Sequence, residues 1–79
     1  MIELSDHAVR KMEQRHLKKE WVLQVLDKPD EQRESYGDRI IAYRKIGKLY
    51  LAVVYKKEGT QITVITAHWE KGFTIKKEV

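Results

Sequence analysis

The spacing of apolar positions changes once along the chain. Before Pro29 they recur every three or four residues, and from Gln32 onward they alternate. Ala8, Val9, Met12 and His16 gather on one side of a helical projection, which predicts a first helix from residue 6 to about residue 16. Ser5 is placed to cap it, and Leu4 with Val9 can staple its start. His7, Arg10, Lys11 and Gln14 fall on the other side, with Arg15 on the border. Trp21, Val22, Val25 and Leu26 predict a second helix over 19–27. Pro29 ends it, because the residue before a proline is pushed away from helical angles.

The alternating part reads as strands. A short one at 32–35 leads to a turn at Gly37-Asp38, and a second covers 39–46. Gly47-Lys48 suits a two-residue hairpin loop into a third strand over 49–56. Gly59 marks the turn into a fourth over 61–69, and 73–77 adds an edge strand or frays. The first hairpin sets Ile46 opposite Leu49, Arg44 opposite Leu51 and Ala42 opposite Val53. A second turn centred on Glu58-Gly59 sets Tyr55 opposite Ile62, Val53 opposite Val64 and Leu51 opposite Thr66. One face then carries Ala42, Arg44, Leu51, Val53, Val64, Thr66 and His68, and the other carries Tyr43, Lys45, Tyr50, Ala52, Val54, Ala67 and Trp69. Helices can cover one face only, so the other is the expected binding surface. The first face is more aliphatic, yet it holds Arg44, Thr66 and His68; which face is covered stays open.

The expected fold is α+β: two N-terminal helices packed on a three- to four-stranded antiparallel sheet. All 79 residues form one domain, with a helical hairpin over 1–28, the sheet over 29–70 and a tail over 71–79. So short a chain buries only about 60% of its unfolded surface. It has no cysteine, so neither disulfides nor thiolate-bound metals reinforce it. The start carries Glu3, Asp6 and Glu13 with no apolar stretch, and the run over 49–55 is far too short to span a bilayer. A cytoplasmic protein without a membrane partner is expected. Net charge is +4 and the isoelectric point about 9.4, which points to RNA as a partner.

His7 is the candidate general base, beside Arg10 and Lys11, which could hold a phosphate while a proton moves. Arg15 could do the same or lay its stem over the core. An ordinary solvated helix face explains the same stripe. Arg44 and Thr66 could clamp an anion across Leu51, or Arg44 could pair with Glu34. His68, one row on, is a second acid/base group or a strand-end cap. Tyr43, Tyr50 and Trp69, with Lys45 beside them, could hold bases and phosphate, although such aromatics also serve as core anchors. His7, His16 and His68 lack chelating spacing, so no metal and no cofactor is expected.

The stretches "HAVRKMEQRHLKKEWVLQVLDKPD", "YLAVVY" and "TVITAH" carry a resemblance over roughly 5–68. They resemble a small bacterial and archaeal domain family of unknown function with the pattern His-Ala-x-x-Arg-Met-x-x-Arg-Gly-Ile-Ser/Thr. That family is grouped with the barnase/RelE-like (BECR) ribonuclease toxins, which include RelE/ParE-like and BrnT-like proteins. His7, Ala8, Met12, Arg15, Pro29, Leu51, Val53 and Thr66 match; Lys11, His16, Leu17 and Lys18 replace the usual Arg, Gly, Ile and Ser/Thr. The resemblance implies a site of His7, Arg15 and Thr66. A metal-independent, toxin-like endoribonuclease would then use attack by the RNA 2′-hydroxyl. His7 would be the base, and Lys11, Arg15 and Arg44 would stabilise the phosphorane. Thr66 would donate a hydrogen bond and His68 would protonate the leaving oxygen. A cognate antitoxin protein would hold it through an acidic or amphipathic segment on the open face. The alternative is a non-catalytic RNA-binding or protein-interaction module of the same fold, or a homodimer through the open face.

Overall fold

A three-residue strand precedes the first helix. The computed structural model describes residues 1–72. The elements are β1 (Ile2–Leu4), α1 (Asp6–Gln14), α2 (Lys19–Asp27), β2 (Glu31–Glu34), β3 (Arg39–Ile46), β4 (Leu49–Glu58) and β5 (Gln61–Glu70). The sheet runs β1-β5-β4-β3-β2, with β1 parallel to β5 and every other pair antiparallel. The protein is therefore α+β, but its sheet is five-stranded and mixed rather than three- to four-stranded and antiparallel. The expected edge strand at 73–77 lies outside the described residues.

β1 was unreadable because three residues cannot display a period. Its alternation nonetheless fits: Ile2 pairs with Ile62 and Leu4 with Val64, so both turn to the face that the helices cover. The link to α1 is Ser5. Its backbone N–H donates to the Val64 carbonyl at 3.0 Å, and its hydroxyl oxygen accepts from Ala8 N–H at 3.1 Å as the helix cap.

α1 ends two residues before the expected position, and His16 is the reason. It adopts the left-handed conformation with φ 55°, outside the helix. Leu17 N–H donates to the Met12 carbonyl at 2.8 Å and His16 N–H to the Glu13 carbonyl at 3.3 Å, which makes a Schellman motif. The accompanying apolar contact is supplied by Leu17 and Met12, both buried in the core cluster. Lys18 makes no side-chain cap, so α2 starts without one, yet it spans the expected residues.

Both helices cover the more aliphatic face. Ala8, Met12, Leu17, Val22 and Val25 pack on Ala42, Leu51, Val53, Tyr55, Val64 and Ala67. Among the described residues no helix is long and apolar enough to cross a membrane.

Two outcomes follow for stability. Leu51 is fully buried at the sheet centre, so Leu51→Ala should cost about 2–5 kcal/mol in urea unfolding. A non-glycine residue in the left-handed region costs about 1–2 kcal/mol, and glycine loses about 0.5–1 kcal/mol in unfolded-chain entropy. His16→Gly should therefore stabilise by about 0.5–1 kcal/mol in the same assay; an unchanged midpoint would show that the His16 side chain offsets the strain.

Candidate functional site

The last strand decides where the candidate chemistry sits. β5 leaves its hairpin in the register Glu58–Gln61, so the loop is Gly59-Thr60 and Tyr55 faces Val64 rather than Ile62. That two-residue shift keeps the expected faces. A second shift does not: Tyr55 pairs with Val64 but Val54 pairs with Thr66, so Ile65 is an extra residue, a β-bulge. Beyond it Ala67 faces Val53, His68 faces Ala52, Trp69 faces Leu51 and Glu70 faces Tyr50.

The bulge exchanges the two faces of the outer half of β5. Ala67 and Trp69 turn under the helices, where Ala67 is fully buried and Trp69 packs on Trp21 at 5.6 Å between ring centroids. Trp69 is thus a core anchor, not a stacking platform. Thr66, His68 and Glu70 turn to the open face. The expected clamp of Arg44 and Thr66 across Leu51 does not exist, because Leu51 lies between Arg44 and Trp69.

On the open face the side chains form rows. Lys45, Tyr50 and Glu70 make one, Tyr43, Ala52 and His68 the next, and Ile41, Val54 and Thr66 the third. His68 Nε2 lies 2.7 Å from Glu70 Oε1, with side chains 33% and 37% exposed. A carboxylate can only accept, so the imidazole donates from Nε2, and in its neutral form Nδ1 then carries the lone pair. A proton acceptor oriented by a carboxylate is the arrangement general-base chemistry needs. Tyr50 is half-buried beside the pair, and Lys45 is exposed, its backbone N–H donating to Asp30 Oδ2 at 3.0 Å.

Tyr43 is not a stacking platform either. It is 7% exposed, and the Arg33 guanidinium lies 5.5 Å from its ring centre. Burial pushes its hydroxyl pKa above the usual tyrosine value; Arg33 works against this, while Glu70 and Glu31 add to it.

The remaining candidates lie on the helix side. His7 and Arg10 are exposed on α1 and Lys11 is half-buried there, while α1 packs over the covered face of β5. His7 and Thr66 therefore belong to opposite layers. Arg15 Nη1 donates to the Ala67 carbonyl at 2.8 Å, and Arg44 Nη1 to the Lys28 carbonyl at 3.0 Å. Both guanidinium groups thus tie backbone segments together. A groove of about 440 Å³ beside α1, lined by Leu4, Val9, Met12 and Leu17 among others, includes none of the expected catalytic side chains. Among the described residues no three His, Asp or Glu side chains gather as metal ligands.

Sequence reasoning missed Glu70 and the second role of Ser5. Glu70 stands two residues after His68, which on any strand puts the two on one face. That signal was available. The link from the Ser5 hydroxyl to the Ile65 carbonyl, at 3.2 Å, has no trace in local spacing because sixty residues separate the two.

Comparison with known families matches residues 4–69 to the family described as domain of unknown function (DUF4258), and the chain belongs to that family. No curated protein and no solved structure matches the chain.

The raised tyrosine pKa values set a pH dependence. Burial raises Tyr55 as well as Tyr43, so above about pH 10 the unfolded chain releases protons that the folded one retains. Stability should fall as pH rises through that range. Tyr43→Phe should flatten the fall, read from denaturation midpoints between about pH 9 and 11, and an unaltered slope would place Tyr43 in solvent.

Proposed function

We propose that the open sheet face of this DUF4258 domain binds single-stranded RNA and cleaves it without a metal, with His68 as the proton acceptor. One observation carries the reading: the Ile65 bulge brings Thr66, His68 and Glu70 onto the face that already holds Lys45 and Tyr50. Glu70 orients the His68 ring at 2.7 Å. Arg39 and Lys56 share a row further along the same face, where Lys56 also sits 3.6 Å from Glu58. The resemblance to a domain family grouped with the RelE/barnase-like toxins supports metal-independent RNA cleavage as the reaction class, and of the residues it implies only Thr66 lies on this face.

In the proposed step His68 Nδ1 takes the 2′-hydroxyl proton and O2′ forms a bond to phosphorus. The P–O5′ bond breaks, leaving a 2′,3′-cyclic phosphate, and water protonates the departing 5′-oxygen. Thr66, one row away, donates a hydrogen bond to a non-bridging oxygen, and Lys45, in the row on the other side of His68, attracts the neighbouring phosphate. His7, on the other layer, takes no part. A toxin of this kind would be held inactive by an antitoxin whose acidic segment covers the open face.

One observation favours the non-catalytic alternative. Arg15 and Arg44 are committed to backbone carbonyls, so among the expected cations Lys45 stands nearest the His68 row. On that reading the face binds RNA and does nothing further.

Incubation of the purified protein with RNA in EDTA separates the two. Cleavage should fall by about 10²–10⁴-fold in His68→Ala. Glu70→Gln should lower the rate while RNA affinity holds. If Lys45, Arg39 and Lys56 each meet a phosphate, log affinity against log salt should slope at about −2. Cleavage that survives His68→Ala rejects the catalytic reading, and a salt slope without cleavage selects the binding module.

A further inference from the structure

The bulge in β5 is held from both ends of one helix. At the start of α1, the Ser5 hydroxyl donates to the carbonyl of Ile65, the extra residue itself, at 3.2 Å. The Ser5 backbone N–H donates to the adjoining Val64 carbonyl at 3.0 Å. Just past the end of α1, Arg15 Nη1 donates to the Ala67 carbonyl at 2.8 Å. Thr66 lies between the two held carbonyls, and His68 follows the second.

We propose that Ser5 and Arg15 are positioning residues which, through the carbonyls of Ile65 and Ala67, keep the Thr66 hydroxyl and the His68 imidazole on the open face. The inference deepens the acid–base reading above and rests on it for its catalytic consequence.

The physical argument starts from the ladder. A bulged residue has no cross-strand partner, and its carbonyl needs another donor. β1 ends at Leu4, so beyond Val64 no described strand runs along that side of β5. Two side chains flanking α1 supply the donors instead. Without them, the unbulged register competes, and it would place Thr66 and His68 under the helices and Ala67 and Trp69 outside. Rigid support behind a reactive group matters because loss of about an ångström in placement is costly to catalysis.

Each anchor can be cut without removing its other duties. Ser5→Asp keeps a good helix cap, since aspartate accepts from Ala8 N–H, but it has no proton to give Ile65. Arg15→Met keeps most of the apolar stem and loses the guanidinium. Ser5→Thr and Arg15→Lys restore a donor at each place. The readouts are the His68 ring-nitrogen shifts, which report the Glu70 contact, the amide exchange of Ala67 and His68, and RNA cleavage under saturating and limiting substrate.

Ser5→Asp and Arg15→Met should each shift the His68 ring signals toward those of Glu70→Gln and speed exchange at His68 by more than tenfold. They should lower kcat by more than tenfold with KM within about twofold, and Ser5→Thr and Arg15→Lys should recover most of each loss. Unaltered His68 signals and exchange in both cut variants would overturn the proposal, whatever happens to their thermal midpoints. Failure of the acid–base reading looks different: the ring signals change as stated, yet the parent protein cleaves no RNA.

Discussion

One covered face governs this molecule. Two nine-residue helices can shield one side of the sheet, and the core clusters there. With 79 residues and no cysteine, an apolar side chain of β5 turned away from the helices is lost to that cluster. Of the five apolar residues of β5, Ile62, Val64, Ala67 and Trp69 join the core cluster, and a straight strand cannot bury these four on one face. The bulge at Ile65 reconciles that order with one buried face. The same kink presents Thr66, His68 and Glu70 outward. Core packing and candidate chemistry thus share a single cause, and a change that straightened the strand would disturb both.

The basic stripe of the first helix turns out to be divided in its duties. His7 and Arg10 remain on an exposed surface, whereas Arg15 serves the backbone of β5. Arg44 does a comparable task at the corner before β2, reaching the Lys28 carbonyl. Guanidinium groups suit this work because they carry several donors in a fixed plane and stay charged under all ordinary conditions. A cation count from sequence therefore overstates the charge offered to a polyanion.

Much of the architecture was legible because its signals are local. The span of α2, the loop at Gly47-Lys48 and the pairing of Ile46 with Leu49 follow from spacing and turn chemistry within a few residues. The aliphatic character of the Leu51 and Val53 face pointed to the core, though it could not decide the matter while His68 was assigned there. A single phase of alternation through the whole of β5 puts His68 on that face, and the bulge at Ile65 moves it to the other. The polar residues Thr63, Thr66 and His68 already show the phase jump, as do the apolar ones. β1 is a different case: its identity depends on a parallel partner near the other end of the chain, and no local pattern encodes that. Likewise Thr66 and His68 come to share a face with Lys45 and Tyr50 because one unpaired residue, rather than residue type, decides which side chains share a face.

The distance along the chain between Ser5 and Ile65, sixty residues, has a kinetic meaning. β1 and α1 are synthesised before β5, yet both need it to seat them. The β3–β4 and β4–β5 hairpins can close cheaply, since their loops are two residues long, while the contact of Ser5 with Ile65 must bear the closure entropy of a far longer loop. Such long-range contacts slow folding relative to a helical bundle of equal size. The growing chain thus carries an amphipathic helix without its seat until β5 emerges.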